Sequence, residues 1–195
     1  KEIVGYAETT RQQDNKTTSE TVWYTIASPL KDTLLISDPQ FLNSSVPQFL
    51  SSNSDLYRYD EPTYTWQNAK PGEGSTNFQT IDPGRGYLYA NANDTVLEFT
   101  GMINTNDVTY SLTTDGERLN GFHLVGNPFT HNITFAHLNA TEGASLVNGY
   151  YVLNGEGAWA VEASTTEVIK PMQSILVKSL VDDYELPIFN ISRQL

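Results

Sequence analysis

Residues 24–30 read Tyr-Thr-Ile-Ala-Ser-Pro-Leu, and residues 123–129 read His-Leu-Val-Gly-Asn-Pro-Phe. Both segments begin with aromatic and aliphatic residues, pass through a small and a polar residue, and turn at a proline. Because the residue before a proline is held in an extended conformation, each segment is typical of a β-strand that ends abruptly. Pro29 and Pro128 are 99 positions apart. This pair of segments indicates an internal repeat.

Two further blocks recur in the same order. One contains a tyrosine-rich strand followed by a tryptophan, and the other contains a proline turn followed by an aliphatic strand: residues 55–59 with Trp66 match residues 148–152 with Trp159, and residues 81–88 match residues 169–176. The offset falls to 93 at the tryptophans and to 88 at the second pair of prolines. A stepwise decrease is expected when loops shorten while strands keep their length. We therefore predict a duplicated β-rich unit.

The rest of the chain shows strand patterns and almost no helical periodicity. Short runs of β-branched and aromatic residues alternate with Gly, Pro, Asn, Asp and Ser. Within residues 95–99, Leu97 and Phe99 fall on one face and Glu98 on the other, as in an antiparallel strand with one solvated face. Residues 38–42 and 135–146 suggest short helices, which we interpret as connectors on a β core.

These patterns predict an all-β fold, an antiparallel β-sandwich built from two tandem β-rich repeats with short helical connectors. We expect residues 1–21 to form an N-terminal strand and a polar loop or arm, residues 22–105 the first repeat, and residues 106–195 the second. A small sheet has one apolar face that must be covered, and the simplest cover is the other copy. The repeats would then share one core, with Trp66 and Trp159 in or beside it. Two separate sandwiches in series are the alternative.

Composition narrows the classes of function. The 195 residues include 11 basic and 23 acidic side chains, a formal net charge of −12, which disfavours nucleic acids and anionic membranes as partners. The absence of cysteine excludes a disulfide framework, a thiolate zinc site and a cysteine nucleophile. The apolar runs are too short for a transmembrane helix. Because the chain starts at Lys1 without a signal-peptide pattern, we expect a fragment or a mature product of a longer protein.

Residues 121–129 resemble the "GW-x-L-[IV]-G-N-P-[FY]" segment of large surface and secreted proteins of the Bacteroidetes, and residues 57–90 are similar to their "Tyr…Trp…Ile-x-Pro-Gly-x-Gly-Tyr" run. The resemblance covers most of residues 22–189. It implies an extracellular or cell-surface location in a bacterium and an accessory, adhesin-like role upstream of a C-terminal sorting domain. The implied partners are the neighbouring domains of a longer parent protein and, beyond them, a glycan or a host or cell-surface protein.

Each copy departs from the family pattern at a different place. The first copy has Ala27-Ser28-Pro29 where the family has Gly-Asn-Pro. The second copy has residues 171–174, Pro-Met-Gln-Ser, where the family has Pro-Gly-x-Gly. A ligand site built on either motif would therefore not be repeated twice, and we expect the glycines and prolines to shape turns.

Aromatic residues carry one functional hypothesis. Flat rings stack on sugar faces, and side chains two apart on a strand share a face, so Tyr57 with Tyr59, or Tyr87 with Tyr89, are candidate ligand-binding residues of a carbohydrate-binding module. The alternative is that these tyrosines are half-buried packing residues, which is common in strands.

Catalytic and metal-binding patterns are weak. Asp55, Asp60 and Glu61 cluster near aromatic residues and would suit a glycan-active hydrolase, but solvated loop carboxylates are the simpler interpretation. A zinc site at His131 and His137 would need a carboxylate from elsewhere, and their spacing matches no known metal pattern. No nucleophile elbow, P-loop, dinucleotide fingerprint or HExxH motif is present. We therefore expect a non-catalytic module without a cofactor or metal.

Overall fold

The computed structural model describes residues 3–9, 22–43, 46–70, 78–92, 95–115, 118–138, 145–154 and 157–191. Of residues 1–21, predicted to form a strand and a polar loop or arm, residues 10–21 lie outside these ranges. Among the described residues between positions 3 and 101, the structure has ten strands and one turn of 3-10 helix at Pro39–Phe41. The strands are β1 Ile3–Thr9, β2 Trp23–Ile26, β3 Leu34–Leu35, β4 Leu42–Asn43, β5 Val46–Pro47, β6 Ser54–Asp60, β7 Thr65–Asn68, β8 Thr80–Ile81, β9 Tyr87–Asn91 and β10 Thr95–Gly101.

The second half begins at residue 108 and contains one short helix, α1, at Phe135–Leu138. Its strands are β11 Val108–Leu112, β12 Phe122–Gly126, β13 Ile133–Thr134, β14 Tyr150–Leu153, β15 Trp159–Glu162, β16 Val168–Ile169, β17 Ser174–Lys178 and β18 Tyr184–Ile188. The connector predicted at residues 38–42 is the 3-10 turn, which Asp38 caps by accepting a hydrogen bond from the Gln40 N–H at 3.0 Å. The connector predicted at residues 135–146 is helical to Leu138, and residues 139–144 lie outside the described ranges.

The strands form antiparallel sheets whose order is the same in both halves. A four-stranded sheet β2-β9-β6-β7 corresponds to β12-β17-β14-β15, and the two-stranded sheets β1-β10 and β3-β8 correspond to β11-β18 and β13-β16. The extra pair β4-β5 belongs to the first half. The predicted all-β class is confirmed. This correspondence supports the predicted duplication, while the sandwich arrangement stays a prediction.

β1 pairs with β10 over its whole length, from Ile3 opposite Gly101 to Thr9 opposite Thr95. The same relation joins β11 to β18. The predicted start of the first repeat at residue 22 therefore separates β1 from β10, the strand with which it pairs. By the pairing of its strands, the first half begins at β1, just as the second half begins at β11.

Buried hydrophobic side chains form two adjoining clusters. The first includes Leu56, Phe41, Phe99 and Tyr89, and the second includes Phe129, Phe135, Ile175 and Leu186. Met172, from the second half, packs in the first cluster. The alternation predicted for β10 accounts for part of this burial, because Leu97 and Phe99 are buried while Glu98 is exposed. The shared core that the sequence suggests stays a prediction.

Within the described ranges, no helix combines the length and hydropathy that crossing a bilayer would require.

Candidate functional site

One face of the sheet β2-β9-β6-β7 carries a row of aromatic and aliphatic side chains. Tyr57 lies opposite Leu88 on β9, and Trp66 lies opposite Tyr59 on β6. Side chains directly opposite each other share a face, as do residues two apart on a strand. Trp23 on β2 contacts Tyr57, with ring centroids 5.6 Å apart and planes at 66°. Four large side chains are thus gathered on one surface of the first half.

The second half completes a cavity over this surface. Trp159 and Leu153 face each other across β15 and β14, and Gly157 lies in the turn between those strands. Together with the four residues from the first half they line a cavity of about 230 Å³: Trp23, Tyr57, Trp66, Leu88, Leu153, Gly157 and Trp159. We call it the aromatic cavity. It contains all three tryptophans of the chain, and none of them is fully buried.

The four candidate tyrosines differ in their exposure and in their position relative to the aromatic cavity. Tyr57 lines the aromatic cavity. Tyr59 is 4% exposed and packs against Trp66 on the same sheet face, with ring centroids 5.2 Å apart, so it supports a residue of the cavity wall without lining the cavity. Tyr87 and Tyr89 have no exposed surface. A buried ring cannot stack on a ligand, so these two residues belong to the core.

Polar partners inside the protein hold both buried hydroxyls. The Tyr87 hydroxyl accepts a hydrogen bond from the Asp82 N–H at 2.7 Å, and burial raises the pKa of Tyr87. The Tyr89 hydroxyl donates to the Gln48 carbonyl at 3.1 Å. Buried tyrosines usually find such partners, and the hydroxyl then locks the ring in place. These contacts anchor β9 in the first cluster.

Sequence reasoning missed Trp23 and placed Trp66 and Trp159 only in or beside a core. A signal for Trp23 was present, because residues on a strand alternate between faces and Ile26 on the same strand is buried in the first cluster. Trp23 therefore points to the opposite side. The correspondence of Trp66 and Trp159 in the two repeats was the second signal.

The two halves are joined by backbone hydrogen bonds at equivalent positions. The Gly126 N–H donates to the Gly84 carbonyl at 2.9 Å, and the Ala27 N–H donates to the Met172 carbonyl at 2.8 Å. Ala27 corresponds to Gly126, and Gly84 to Met172, in the repeats. A third bond runs from the Gly86 N–H to the Leu124 carbonyl at 2.8 Å. We call this contact region the joint.

The joint accounts for the different residues that the two halves have at equivalent positions. A Cβ on Gly126 would lie 2.2 Å from the Ala27 Cβ. A Cβ on Gly86 would lie 2.7 Å from the Ser174 Cβ and 2.6 Å from the Leu124 Cγ. Because equivalent residues meet across the joint, only one member of each pair has room for a side chain.

Each repeat enters the joint through a tight turn. Gly84 has φ of +76° and Met172 has φ of +62°, and each follows a proline, as a type II turn requires. The left-handed conformation costs a non-glycine residue about 1 kcal/mol. Burial of the Met172 side chain in the first cluster offsets that cost, because a fully buried methionine contributes about 1.5–3 kcal/mol.

Asn127 of the Gly-Asn-Pro segment is a structural residue. Its amide nitrogen donates to the carbonyls of His131, Ile169 and Lys170 at 2.9 to 3.0 Å, and its amide oxygen accepts from the Phe129 N–H at 3.0 Å. The side chain is buried. Its hydrogen-bonding capacity is directed inward, so it has no role as a surface ligand-binding group.

Ser28 occupies the equivalent position in the first repeat and reproduces one of these interactions. The Leu30 N–H donates to its hydroxyl at 3.2 Å, as the Phe129 N–H does to Asn127. Asn127 and Ser28 therefore both serve the turn that follows the strand.

The carboxylates proposed for a hydrolase have separate structural partners. Asp55 forms an ion pair with Lys70 at 2.9 Å, and Asp60 accepts a hydrogen bond from the Thr63 hydroxyl. Glu61 is 1% exposed, although it follows a strand of the first half, and its carboxylate binds the β11–β12 loop of the second. None of the three lines the aromatic cavity. This arrangement gives no support to a catalytic pair at that cavity.

Glu61 accepts hydrogen bonds across the boundary between the halves from three donors among the described residues. The donors are the Thr113 hydroxyl at 2.6 Å, the Asp115 N–H at 3.1 Å and the Gly121 N–H at 2.8 Å. A buried carboxylate is tolerated when its oxygens are satisfied in this way. Glu61 therefore fastens the β6–β7 hairpin, which carries Tyr57 and Trp66, to the second half.

The histidines considered as metal ligands pack against protein groups. His131 stacks on Phe129, with ring centroids 5.1 Å apart, and the His137 Nδ1 accepts a hydrogen bond from the Thr134 N–H at 3.0 Å. In the part of the chain that the structure describes, no three His, Asp or Glu side chains are grouped as a metal site requires.

We expect His123 to make stability depend on pH. Burial lowers the pKa of His123 below its ordinary value of 6.5, and Thr113 and Glu61 oppose this effect. The unfolded chain therefore binds the proton more readily, so the free energy of unfolding falls as the pH decreases through 6.5. The measurement is urea unfolding above and below that pH, compared with H123Q, whose side chain does not titrate. An equal pH dependence in both proteins would contradict the prediction.

No protein-family model matches this sequence, and neither the curated proteins nor the solved structures that were searched contain a significant match.

Proposed function

We propose that the chain is a non-catalytic structural or adhesion-associated module of a cell-surface or secreted bacterial protein, where it spaces or presents neighbouring domains. The observation that carries the proposal is the use of the motif residues. Gly86, Gly126, Asn127 and Ser174 all serve contacts within or between the halves. A rigid spacer needs contacts that fix its two halves relative to each other, and these residues provide such contacts. The sequence resemblance supports the location.

A turnover assay tests the absence of catalysis. Purified chain is incubated with polysaccharides and peptides, and release of reducing ends or of new amino termini is measured. We expect no turnover above that of a D55N variant, which removes one charge of the proposed carboxylate set. Hydrolysis by the wild-type chain that is absent in D55N would contradict the proposal.

The location is tested separately, on intact cells of the source bacterium. Brief protease treatment should release fragments of the module if it lies on the surface, and the culture medium should contain it if it is secreted. Recovery of the module only after cell lysis would contradict the proposed location.

Carbohydrate binding is the second candidate function. The specific observation in its favour is that Tyr57 and all three tryptophans line one open cavity, since exposed rings can stack on the faces of a sugar. Calorimetric titration with neutral oligosaccharides tests it, with W159L as the variant that should lose binding. A panel of glycans without a binding response would exclude this candidate.

A further inference from the structure

We propose that the aromatic cavity binds a quaternary ammonium group, such as the trimethylammonium head of choline. This inference rests on the proposed function only in treating the module as adhesion-associated. The observation that carries it is the composition of the wall. Three tryptophans and Tyr57 face the cavity with two leucines and a glycine, and the described lining includes no charged side chain.

The wall chemistry distinguishes between ligand classes. A sugar presents many hydroxyl groups, and small-molecule sites normally supply several placed polar groups to bind such a ligand. In the described lining, only the indole N–H groups and the Tyr57 hydroxyl have hydrogen-bonding atoms in their side chains. Hydroxyls turned toward Leu88 and Leu153 would lose water without gaining a partner, which is unfavourable.

A quaternary ammonium group can contact the same residues without losing hydrogen bonds to water. It has no N–H donor to satisfy, its methyl groups are apolar, and its positive charge is attracted to the electron-rich faces of aromatic rings. Tryptophan is the best ring for this interaction. A primary ammonium is a poorer ligand because it would surrender strong hydration in a site without a charged acceptor.

The rings are held in place before a ligand arrives. Trp23 and Tyr57 stand at 66° to each other, so they form two adjacent walls. Trp66 is packed against the buried Tyr59. Trp159 comes from the other half, whose position relative to the first is fixed by the joint and by Glu61. Preorganised walls lower the entropy cost of binding.

Charge also favours a cation. The chain has a net charge of −12, which raises the local concentration of cations and repels anions. On the cavity face, Asp55 lies two residues from Tyr57 and across Ala90 from Trp23. Asp55 is paired with Lys70 at 2.9 Å, so these two charges compensate each other and the net charge of the chain is what favours a cation.

The test uses the tryptophan fluorescence of the full chain, which reports on the cavity alone because every tryptophan lines it. The chain is titrated with choline, with its neutral isostere 3,3-dimethylbutan-1-ol, and with cellobiose. We expect saturable binding of choline that is at least about tenfold tighter than that of the isostere. Equal binding of both would overturn the charge argument, binding of cellobiose alone would favour the carbohydrate candidate, and no response to choline would reject the proposal.

Variants locate the site. W66L and W159L should each weaken choline binding about tenfold or more, and W159F should retain part of the affinity. The matched control is F122L, because Phe122 is the second-half counterpart of Trp23, contacts Tyr151 and lies outside the cavity lining. Circular dichroism checks that each variant is folded. Loss of choline binding in F122L to the same extent as in W159L would contradict the assignment.

Two further experiments distinguish which kind of molecule supplies the quaternary ammonium group. One measures cosedimentation with phosphatidylcholine vesicles, and the other measures binding of a trimethyl-lysine peptide. Binding in either arm that W159L abolishes supports the proposal and names the source, and failure in both arms together with free choline refutes it. Absence of choline binding would leave the proposed non-catalytic function unaffected. Turnover in the hydrolysis assay would reject that function without affecting a positive result for choline binding.

Discussion

Replacing Gly126 with alanine is expected to lower the free energy of unfolding by about 3 kcal/mol, which is the upper range for overpacking a well-packed site. The added Cβ would lie 2.2 Å from the Ala27 Cβ and 2.9 Å from the Arg85 carbonyl oxygen. Neither neighbour can rotate away, because one is a Cβ fixed to the backbone and the other is the backbone itself. The measurement is equilibrium urea unfolding followed by circular dichroism.

The double variant G126A/A27G tests whether the clash with Ala27 causes the loss of stability. It exchanges glycine and alanine across the joint, so the Cβ–Cβ clash disappears while the contact with Arg85 remains. We expect the exchange to recover more than half of the lost stability. G157A is the control, because a Cβ on Gly157 meets nothing within 4 Å and the variant reports only the cost of a positive φ, about 1 kcal/mol. A double variant no more stable than G126A would show that the halves do not meet in this way.

Replacing Glu61 with alanine should lower the free energy of unfolding by about 3 kcal/mol, because a buried N–H group that loses its acceptor costs about 1–3 kcal/mol. Among the described residues, the variant removes the acceptor of the Thr113 hydroxyl and of the Asp115 and Gly121 N–H groups. Urea unfolding measures the loss. E61Q should be intermediate, because its amide oxygen can still accept the hydrogen bonds of one carboxylate oxygen while its amide nitrogen cannot accept any.

D60N is the matched control for Glu61, since it neutralises the adjacent carboxylate, which is only partly buried. A loss in D60N as large as that in E61A would mean that net charge, rather than the contact across the halves, is responsible. The same contact has a functional consequence. Because Glu61 fastens the hairpin bearing Trp66 to the half bearing Trp159, E61Q should also change the tryptophan emission of the cavity if the hairpin shifts.

Local patterns predicted most of the secondary structure. The alternation at Leu97, Glu98 and Phe99 placed β10, and Pro83-Gly84 marked a turn that has a positive φ at the glycine. The three repeated blocks fall on strands and turns that have the same place in both halves. These features depend on neighbours in the chain, because side-chain alternation and the restricted conformations of proline and glycine act over a few residues.

The burial of the aromatic residues could not be predicted in the same way. Tyr57 and Tyr87 have similar strand patterns, yet one lines the cavity and the other has no exposed surface. Alternation tells which side chains share a face but not which face another part of the chain covers. Glu61 shows the same limit: its sequence context is that of a solvated loop, and only the approach of the β11–β12 loop makes it a buried acceptor.

The all-β class, the matched blocks and the turns can be predicted from the amino-acid sequence, since they follow from backbone preferences and short-range periodicity. The contact of Gly126 with Ala27, the burial of Glu61 and the convergence of the three tryptophans become visible only in the folded chain. Each of these outcomes depends on contacts between segments that are distant in the chain. Their geometry is set by how the two halves pack, which local residue preferences do not encode.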